Sequence, residues 1–228
     1  MSRSGSKSSA SAARPPELAV WQDRALRAVA GSGLARELVF GGGAALAALH
    51  LHHRTSLDVD FFAMRQIALE ELTPLRRALG TPSTAVHVEV VGLRTSLVLR
   101  RRAGELGRID FAYHPFDPIG RRTSWRGLAV ESLIDMTVNK IHCVVSREQP
   151  RDFVDLYFLL REGPERDLMR LLDLLRAKFD LGAHPMGLAR RLLLVHQIRD
   201  LPRMIRPIEL PQLVAFFEDR ARELVRSA

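Results

Sequence analysis

The stretch that decides the fold is "FGGGAALAALHLHHRTSLDVDFF", residues 40–62. An apolar triplet, residues 38–40, leads into three glycines, then into Ala and Leu residues that favour a helix, and finally into an alternating apolar segment. This order predicts a strand, a glycine turn, a helix and a second strand. Such a turn offers backbone N–H groups and a positive helix end to an anion, so we expect Gly42 and Gly43 to receive a phosphate.

The second strand carries two acids, Asp58 and Asp60, whose side chains point to the same face because alternate residues of a strand do so. Without a partner, each charge raises the pKa of the other and resists burial. A divalent cation removes this repulsion, since Mg²⁺ binds carboxylates together with substrate phosphates. A solvated strand edge or a turn is the simpler interpretation, and the two acids alone leave it open.

A third acid, Asp110 in "RIDFAY", is predicted to join them from a neighbouring strand, because Ile109 and Phe111 would face the core. Three carboxylates can hold two metal ions, Mg²⁺ or alternatively Mn²⁺, and a pair of metals supports in-line displacement at phosphorus. The glycine turn and the acids on consecutive elements therefore predict a nucleotide site.

The rest of the chain predicts an α+β fold, a mixed or antiparallel sheet with helices followed by an all-helical C-terminal half. Residues 85–91, 95–101 and 106–114 read as closely spaced strands of an antiparallel meander. Helical patterns cover residues 15–30, 68–79 with an interruption at Pro74, 131–146, 150–162, 164–179, 187–199 and 207–226. We expect a disordered tail over residues 1–14, an α/β core over 15–126 and a helical domain over 127–228.

Composition narrows the class of protein. The single cysteine, Cys143, excludes an intramolecular disulfide. No apolar run is long enough to cross a bilayer, and the N-terminus lacks the apolar centre of a secretory signal, so a cytoplasmic protein without membrane contact is expected. The Arg- and Ser-rich start is also typical of a transit peptide. The net charge of +8 favours a polyanionic partner such as RNA.

A second charged cluster lies in "NKIHCVVSREQPRDFVDLYFLL", residues 139–160. Lys140, Arg147 and Arg151 form a cationic group, with Asp152 and Asp155 beside it. Lys140 stands out because only three of the 34 basic residues are lysines. Both a substrate-binding face and an ordinary solvated face of ion pairs fit this pattern.

The residues of both clusters resemble the AbiEii/AbiGii toxin family of nucleotidyltransferases, relatives of the DNA polymerase β superfamily. The family reads GGTAL, then H-R and S, then D-L-D-F-F, which this chain matches with Gly42, Gly43, His53, Arg54, Ser56, Asp58 and Asp60. It also reads K-x-x-A-x-x-x-R and R-D-x-x-D-L, matched by Lys140, Cys143, Arg147, Arg151, Asp152 and Asp155. One departure is Ala44, where Thr or Ser is common, so phosphate binding would rely on backbone amides.

This resemblance implies a polymerase β-type core and a Mg²⁺-dependent enzyme that transfers NMP from an NTP. Lys140 would hold the triphosphate, with Ser56 and Arg151 also at the nucleotide, and Asp152 would act as a base or orient the acceptor. It further implies an RNA acceptor such as a tRNA 3′ end, a cognate antitoxin, and a role in type IV toxin–antitoxin or abortive-infection phage defence.

Two other functions remain open at this point. Transfer to a protein hydroxyl would need the same fold and metal, and a nucleotide-binding module without turnover is favoured by Ala44. Two further classes of site are not indicated. The "HLHH" stretch, residues 50–53, lacks the additional ligands that zinc needs, and an aromatic content of 6% does not suggest a base-stacking platform.

Overall fold

The computed structural model describes residues 13–227. The described part contains one seven-stranded sheet. Its strands are β1 (Val39–Gly41), β2 (Asp58–Ala63), β3 (Ala85–Val91), β4 (Arg94–Arg101), β5 (Gly104–Tyr113), β6 (Thr123–Trp125) and β7 (Leu128–Val130). The predicted tail falls almost wholly in residues 1–12, outside the described residues.

The helices are α1 (Val20–Ala30), α2 (Gly42–Leu46), α3 (Thr73–Leu79), α4 (Leu133–Ser146), α5 (Pro150–Glu162), α6 (Leu168–Phe179), α7 (Pro185–Leu192) and α8 (Leu210–Arg226). A π-helical turn, Ala47–Leu51, extends α2, and short 3-10 turns occupy Gly33–Arg36, Glu70–Leu72 and Leu193–Gln197. None of the helices in residues 13–227 is both long enough and apolar enough to cross a membrane.

The strand order is β3-β4-β5-β2-β1-β7-β6. β2 pairs with β5 and β1 pairs with β7 in parallel, while the other neighbours are antiparallel. The parallel β2–β5 pairing places Asp60 directly opposite Asp110. On the other side of β2, Gly41 lies opposite Asp60, so the glycine turn begins beside the acids.

The predicted α+β class and the antiparallel meander are confirmed. Several boundaries differ for physical reasons. The first helix starts at Val20, because a turn that closes from Leu18 to Pro15 precedes it. Pro74 lies in the first turn of α3, where its missing N–H costs nothing, so it begins that helix and does not interrupt one. The β6–β7 hairpin was not predicted from the sequence.

One connected hydrophobic core spans the sheet and the C-terminal helices. Phe40 and Phe61 come from the sheet, and Phe153 and Phe217 come from α5 and α8, all fully buried. Ile109 and Phe111 are buried in the same core, as the alternation along β5 predicts. The two sections of the chain therefore bury their apolar surface together, and the division at residues 126 and 127 stays a prediction.

Candidate active site

A cavity of about 430 Å³ lies where the acid-bearing strands β2 and β5 meet helices α4 and α5. Residues of both clusters from the sequence line it. The lining comprises Gly42, Gly43, Arg54, Ser56, Asp58, Asp60, Phe61, Phe62, Arg94, Arg108, Asp110, Ala112, Glu131, Met136, Asn139, Lys140, Cys143, Arg147 and Arg151. Asp152, by contrast, lies behind this wall.

The carboxyl group of Asp60 lies on β2 directly opposite Asp110. Burial, and then the neighbouring carboxylate of Asp110, raise the pKa of Asp60 to about 6. Within residues 13–227 no hydrogen-bond donor contacts the Asp60 carboxylate. Asp110, in contrast, accepts a hydrogen bond from Ser96 Oγ at 2.6 Å and lies 3.6 Å from Arg94 Nη1.

Asp58 faces two cations at the opposite rim of the cavity. Arg151 Nη1 donates to Asp58 Oδ2 at 3.2 Å, and Arg108 Nε lies 4.0 Å from Asp58 Oδ1. Ser56 precedes this acid, and its Oγ donates to the Asp58 carbonyl at 3.3 Å. The Ser56 carbonyl in turn accepts from Gln22 Nε2 of α1 at 3.0 Å, which fixes the backbone at the start of β2.

Glycine is required in the turn before α2 because other side chains occupy the space. Gly42 has a φ of 64°, and a Cβ there would lie within 2.6 Å of the Asp60 carboxyl carbon. A Cβ at Gly43 would lie 2.6 Å from Arg54 Nη2 and 3.3 Å from Ser56 Oγ. The turn therefore brings bare backbone against an acid on one side and a guanidinium on the other.

Lys140 in α4 and Arg147, the residue that follows this helix, supply positive charge, and Asp152 contacts both. Lys140 Nζ donates to Asp152 Oδ1 at 2.8 Å, and Arg147 Nε donates to Asp152 Oδ2 at 2.8 Å. Asp152 is 0% exposed. Burial alone would raise the pKa of Asp152, but Lys140 and Arg147 lower it below its usual value. Asp152 is thus an ionised anchor for two cations.

Asp155, one helical turn further along α5, joins the two sections of the chain. It is fully buried and accepts from His53 Nε2 at 2.7 Å, from Arg54 Nε at 2.6 Å and from Arg54 Nη2 at 2.7 Å. Lys140 Nζ lies 2.7 Å from its Oδ2. Although burial opposes ionisation, Lys140 and Arg54 hold the pKa of Asp155 well below its usual range.

Sequence reasoning missed several residues of the cavity wall, chiefly Arg94, Arg108, Glu131 and Asn139. Glu131 follows β7, and its N–H donates to the Phe40 carbonyl at 3.0 Å, which continues the sheet pairing beside Gly41. Burial raises the pKa of Glu131 to about 7. Arg108 and Glu131 could not be found from the sequence because their place depends on which non-consecutive strands pair.

The strand acids alone do not form a complete metal site. Among residues 13–227, no group of three or more His, Cys, Asp or Glu side chains is arranged so that it could hold a metal ion. The donor chemistry nevertheless fits a metal that arrives with a nucleotide, because Mg²⁺ commonly takes one or two carboxylates and completes its shell with phosphate and water. Asp60, half-buried beside Asp110 without a donor in the described part, is the side chain whose repulsion from Asp110 such an ion would reduce.

Comparisons with solved structures concern the fold. Two solved structures from Helicobacter pylori share the fold. One is the protein JHP933, at 17% identity and a TM-score of 0.56, covering 91% of this chain and 90% of that one. The other, described provisionally as a nucleotidyltransferase, has 16% identity and a TM-score of 0.56, covering 91% of this chain and 92% of that one. No curated protein sequence gives a significant match.

The family comparison covers most of the chain. The family model described as "Nucleotidyl transferase AbiEii toxin, Type IV TA system" matches residues 24–226. That range contains the glycine turn, all three strand acids and the Lys140 cluster. The chain belongs to the AbiEii family of nucleotidyltransferase toxins of type IV toxin–antitoxin systems.

Proposed function

We propose that the protein transfers NMP from an NTP to an RNA hydroxyl in the 430 Å³ cavity, with Mg²⁺ as the metal. One observation carries this proposal: Asp58, Asp60 and Asp110 line the same cavity as the glycine turn and Lys140. Acids alone would repel a triphosphate, and cations alone would not hold a metal. Their combination in one cavity suits a metal-bound triphosphate.

Asp58 and Asp60 would hold the metal that accompanies the triphosphate, and Asp110 would complete a second metal position. When bound, Mg²⁺ neutralises charge on the phosphates and favours ionisation of the attacking hydroxyl. Asp60 benefits most from binding, because its half-buried carboxylate otherwise lies beside Asp110 without a counter-charge in contact with it.

The triphosphate would lie against the cationic wall. Lys140 is fixed in position by Asp152 and Asp155, so it loses little side-chain freedom when it binds phosphate. Arg151 is 39% exposed and contacts only Asp58 among the described residues, which leaves it able to exchange that acid for a phosphate. Gly42 and Gly43 would bring backbone amides to the same phosphates, and Ser56 borders them.

In the reaction the acceptor oxygen forms a bond to the α-phosphorus while the bond from this phosphorus to the β-phosphate oxygen breaks. Pyrophosphate leaves, and Asp110 is the base to which the attacking hydroxyl gives its proton. Asp152 is the less suitable base, because it is fully buried and both its oxygens already accept hydrogen bonds from Lys140 and Arg147. Its role is then to orient Lys140.

The net charge of +8 supports RNA as the acceptor, because a basic surface attracts a polyanion. Phage defence and a cognate antitoxin are consistent with the family. The test is incubation of the full chain with each α-labelled NTP, Mg²⁺ and total tRNA. Label on RNA is expected for the unchanged protein, together with loss of label for Asp58→Ala.

The matched control is Asp117→Ala, which removes an exposed acid outside the cavity and should leave the transfer intact. Label on protein in place of RNA would replace the RNA acceptor with a protein hydroxyl. Binding of NTP without any label transfer would indicate a module without turnover and would overturn the proposed reaction.

A further inference from the structure

The cavity has two chemically different ends along β2. Asp58, at the beginning of this strand, contacts Arg151 and lies near Arg108. Phe62 lies four residues further on the same face, about 13 Å away at the rise of an extended strand. Charge therefore concentrates at one end of the strand, and an aromatic ring lies at the other.

The residues of helix α4 that line the cavity also differ in charge between its two ends. Its cavity residues Met136, Asn139, Lys140 and Cys143 share one helical face, and Arg147 directly follows the last residue of the helix. Met136 and Asn139 are uncharged, whereas Lys140 and Arg147 are cations. Strand and helix together give the cavity a cationic end, with Arg147 and Arg151, and a second end with Phe62, Met136 and Asn139. Arg94, in register with Phe62 through Ala112, reaches toward Asp110.

Glu131, an acid, joins the end that carries Phe62 and Asn139 through two contacts. Asn139 Nδ2 donates to Glu131 Oε1 at 2.5 Å. A Cβ built on Gly41 would lie 2.6 Å from the Phe62 ring and 2.8 Å from Glu131 Oε2, so this carboxylate oxygen and the ring edge flank the same point. Phe62, Met136, Asn139 and Glu131 thus form one group, which we call the base subsite.

The base subsite contains two acceptors without a donor. Glu131 Oε2 and Asn139 Oδ1 are both buried, and neither has a hydrogen-bond partner among residues 13–227. The amide orientation is set by Glu131, because its carboxylate accepts and the Asn139 nitrogen must face it. Buried acceptors left unpaired are unfavourable, so a ligand that offers N–H donors would be stabilised here.

We propose that the base subsite receives the nucleobase of the incoming NTP, and that Glu131 and Asn139 select a base that carries an amino group. The Phe62 ring and the Met136 thioether would cover the apolar faces of the base. Uracil offers a single ring N–H flanked by carbonyl oxygens, which would face the two acceptors, so UTP should bind least well. This inference rests on the proposed function, because it requires the triphosphate at the cationic end.

The test measures binding of ATP, CTP, GTP, UTP and inorganic tripolyphosphate to the full chain by calorimetry in Mg²⁺ at pH 8, above the Glu131 pKa of about 7, so that the Glu131 carboxylate is an acceptor. UTP is expected to bind at least about tenfold more weakly than the tightest amino-bearing NTP, because a site that hydrogen-bonds an amino group disfavours a base that lacks one. Glu131→Gln should narrow this difference, since an amide can donate as well as accept. Phe62→Leu should weaken every NTP about tenfold, the loss of one stacking contact, and leave tripolyphosphate unchanged.

The control is Phe116→Leu. Phe116 is a partly buried ring packed on His114 and Phe179 beside the cavity but not lining it, so all five ligands should bind as before. If neither NTPs nor tripolyphosphate bind, the proposed function itself fails. If they bind but UTP equals the others, or if Phe62→Leu weakens tripolyphosphate as much as the NTPs, the base subsite is wrong while the proposed function stands.

Discussion

At the level of single residues, Asp60 shows how the site conflicts with the stability of the fold. Its carboxylate is half-buried beside Asp110, and no hydrogen-bond donor in residues 13–227 offsets that position. A carboxylate kept in such a place raises the free energy of the folded state. The same unpaired charge favours binding of a cation, so the folded state is destabilised only while no cation is bound.

Asp60→Asn should separate these two effects. We expect nucleotidyl transfer to fall by more than about 100-fold, because an amide is a poor metal ligand. The free energy of unfolding at pH 8 should rise by roughly 1–3 kcal/mol, because the neutral amide removes the repulsion from Asp110. Activity assays and urea denaturation of the two proteins measure both changes, and a less stable variant would contradict this account.

Glu131 gives a prediction about pH. Below pH 4.5, the ordinary value, both folded and unfolded states carry its proton, whereas up to about pH 7 only the folded state keeps it. Ionisation of the unfolded chain therefore lowers stability as pH rises through this window, and the effect is constant above pH 7. Between pH 4.5 and 7, the free energy of unfolding of Glu131→Gln should therefore rise by roughly 1–3 kcal/mol relative to that of the unchanged protein. Urea denaturation across this range measures the difference, and equal pH profiles would refute it.

The strand acids could be predicted from the sequence because a period of two fixes which side chains share a face. Asp110 followed from the apolar residues on either side of it. Glu131 and Arg108 could not be predicted, since their approach depends on the order and register of strands that are distant in sequence. Local patterns therefore predict where the acids lie, whereas the residues that surround them become known only from the pairing of the strands.

At the level of elements, the glycine turn before α2 can be tested with a matched pair of glycines. Gly42 has a φ of 64° and Gly92, in the β3–β4 hairpin, has a φ of 57°. A Cβ at Gly92 would meet open space, whereas a Cβ at Gly42 would collide with Asp60. Backbone strain is thus common to both positions, and the collision is confined to one.

Gly42→Ala should therefore lower the free energy of unfolding more than Gly92→Ala does. The hairpin variant is expected to lose about 1–2 kcal/mol of unfolding free energy from its left-handed backbone and to keep its NTP affinity. The turn variant should lose more than that and should also bind NTP more weakly, because Asp60 must move. Equal losses in both variants, with NTP binding intact, would show that the turn needs glycine for its backbone alone.

Long periodic segments were predictable as elements, and short or irregular ones were not. The helices α4 and α5 follow their apolar stripes closely, from Leu133 to Ser146 and from Pro150 to Glu162. β6 and β7 have three residues each, too few for an alternating pattern to show. They are strands because β1 offers an edge to β7, which is a property of the sheet and not of the segment.

At the level of the whole molecule, Asp155 connects the section that carries the glycine turn to the section that carries Lys140. His53 and Arg54 come from the segment between α2 and β2, and Lys140 comes from α4. Three donors from distant parts of the chain thus converge on one buried carboxylate. Loss of its charge would leave two cations in the wall of the cavity without their shared counter-ion.

Asp155→Asn should accordingly destabilise the fold by roughly 3–5 kcal/mol, the cost of breaking a buried ion pair from one side. Glu162→Gln is the matched control, because its pair with Arg206 is about 40% exposed on both sides and should contribute about 1 kcal/mol or less. Trp21 and Trp125 report on the N-terminal section by fluorescence, and far-UV circular dichroism reports mainly on the helices. Since one core spans both sections, the two urea transitions should shift together, and a shift in the helical signal alone would show that Asp155 stabilises only its own helix.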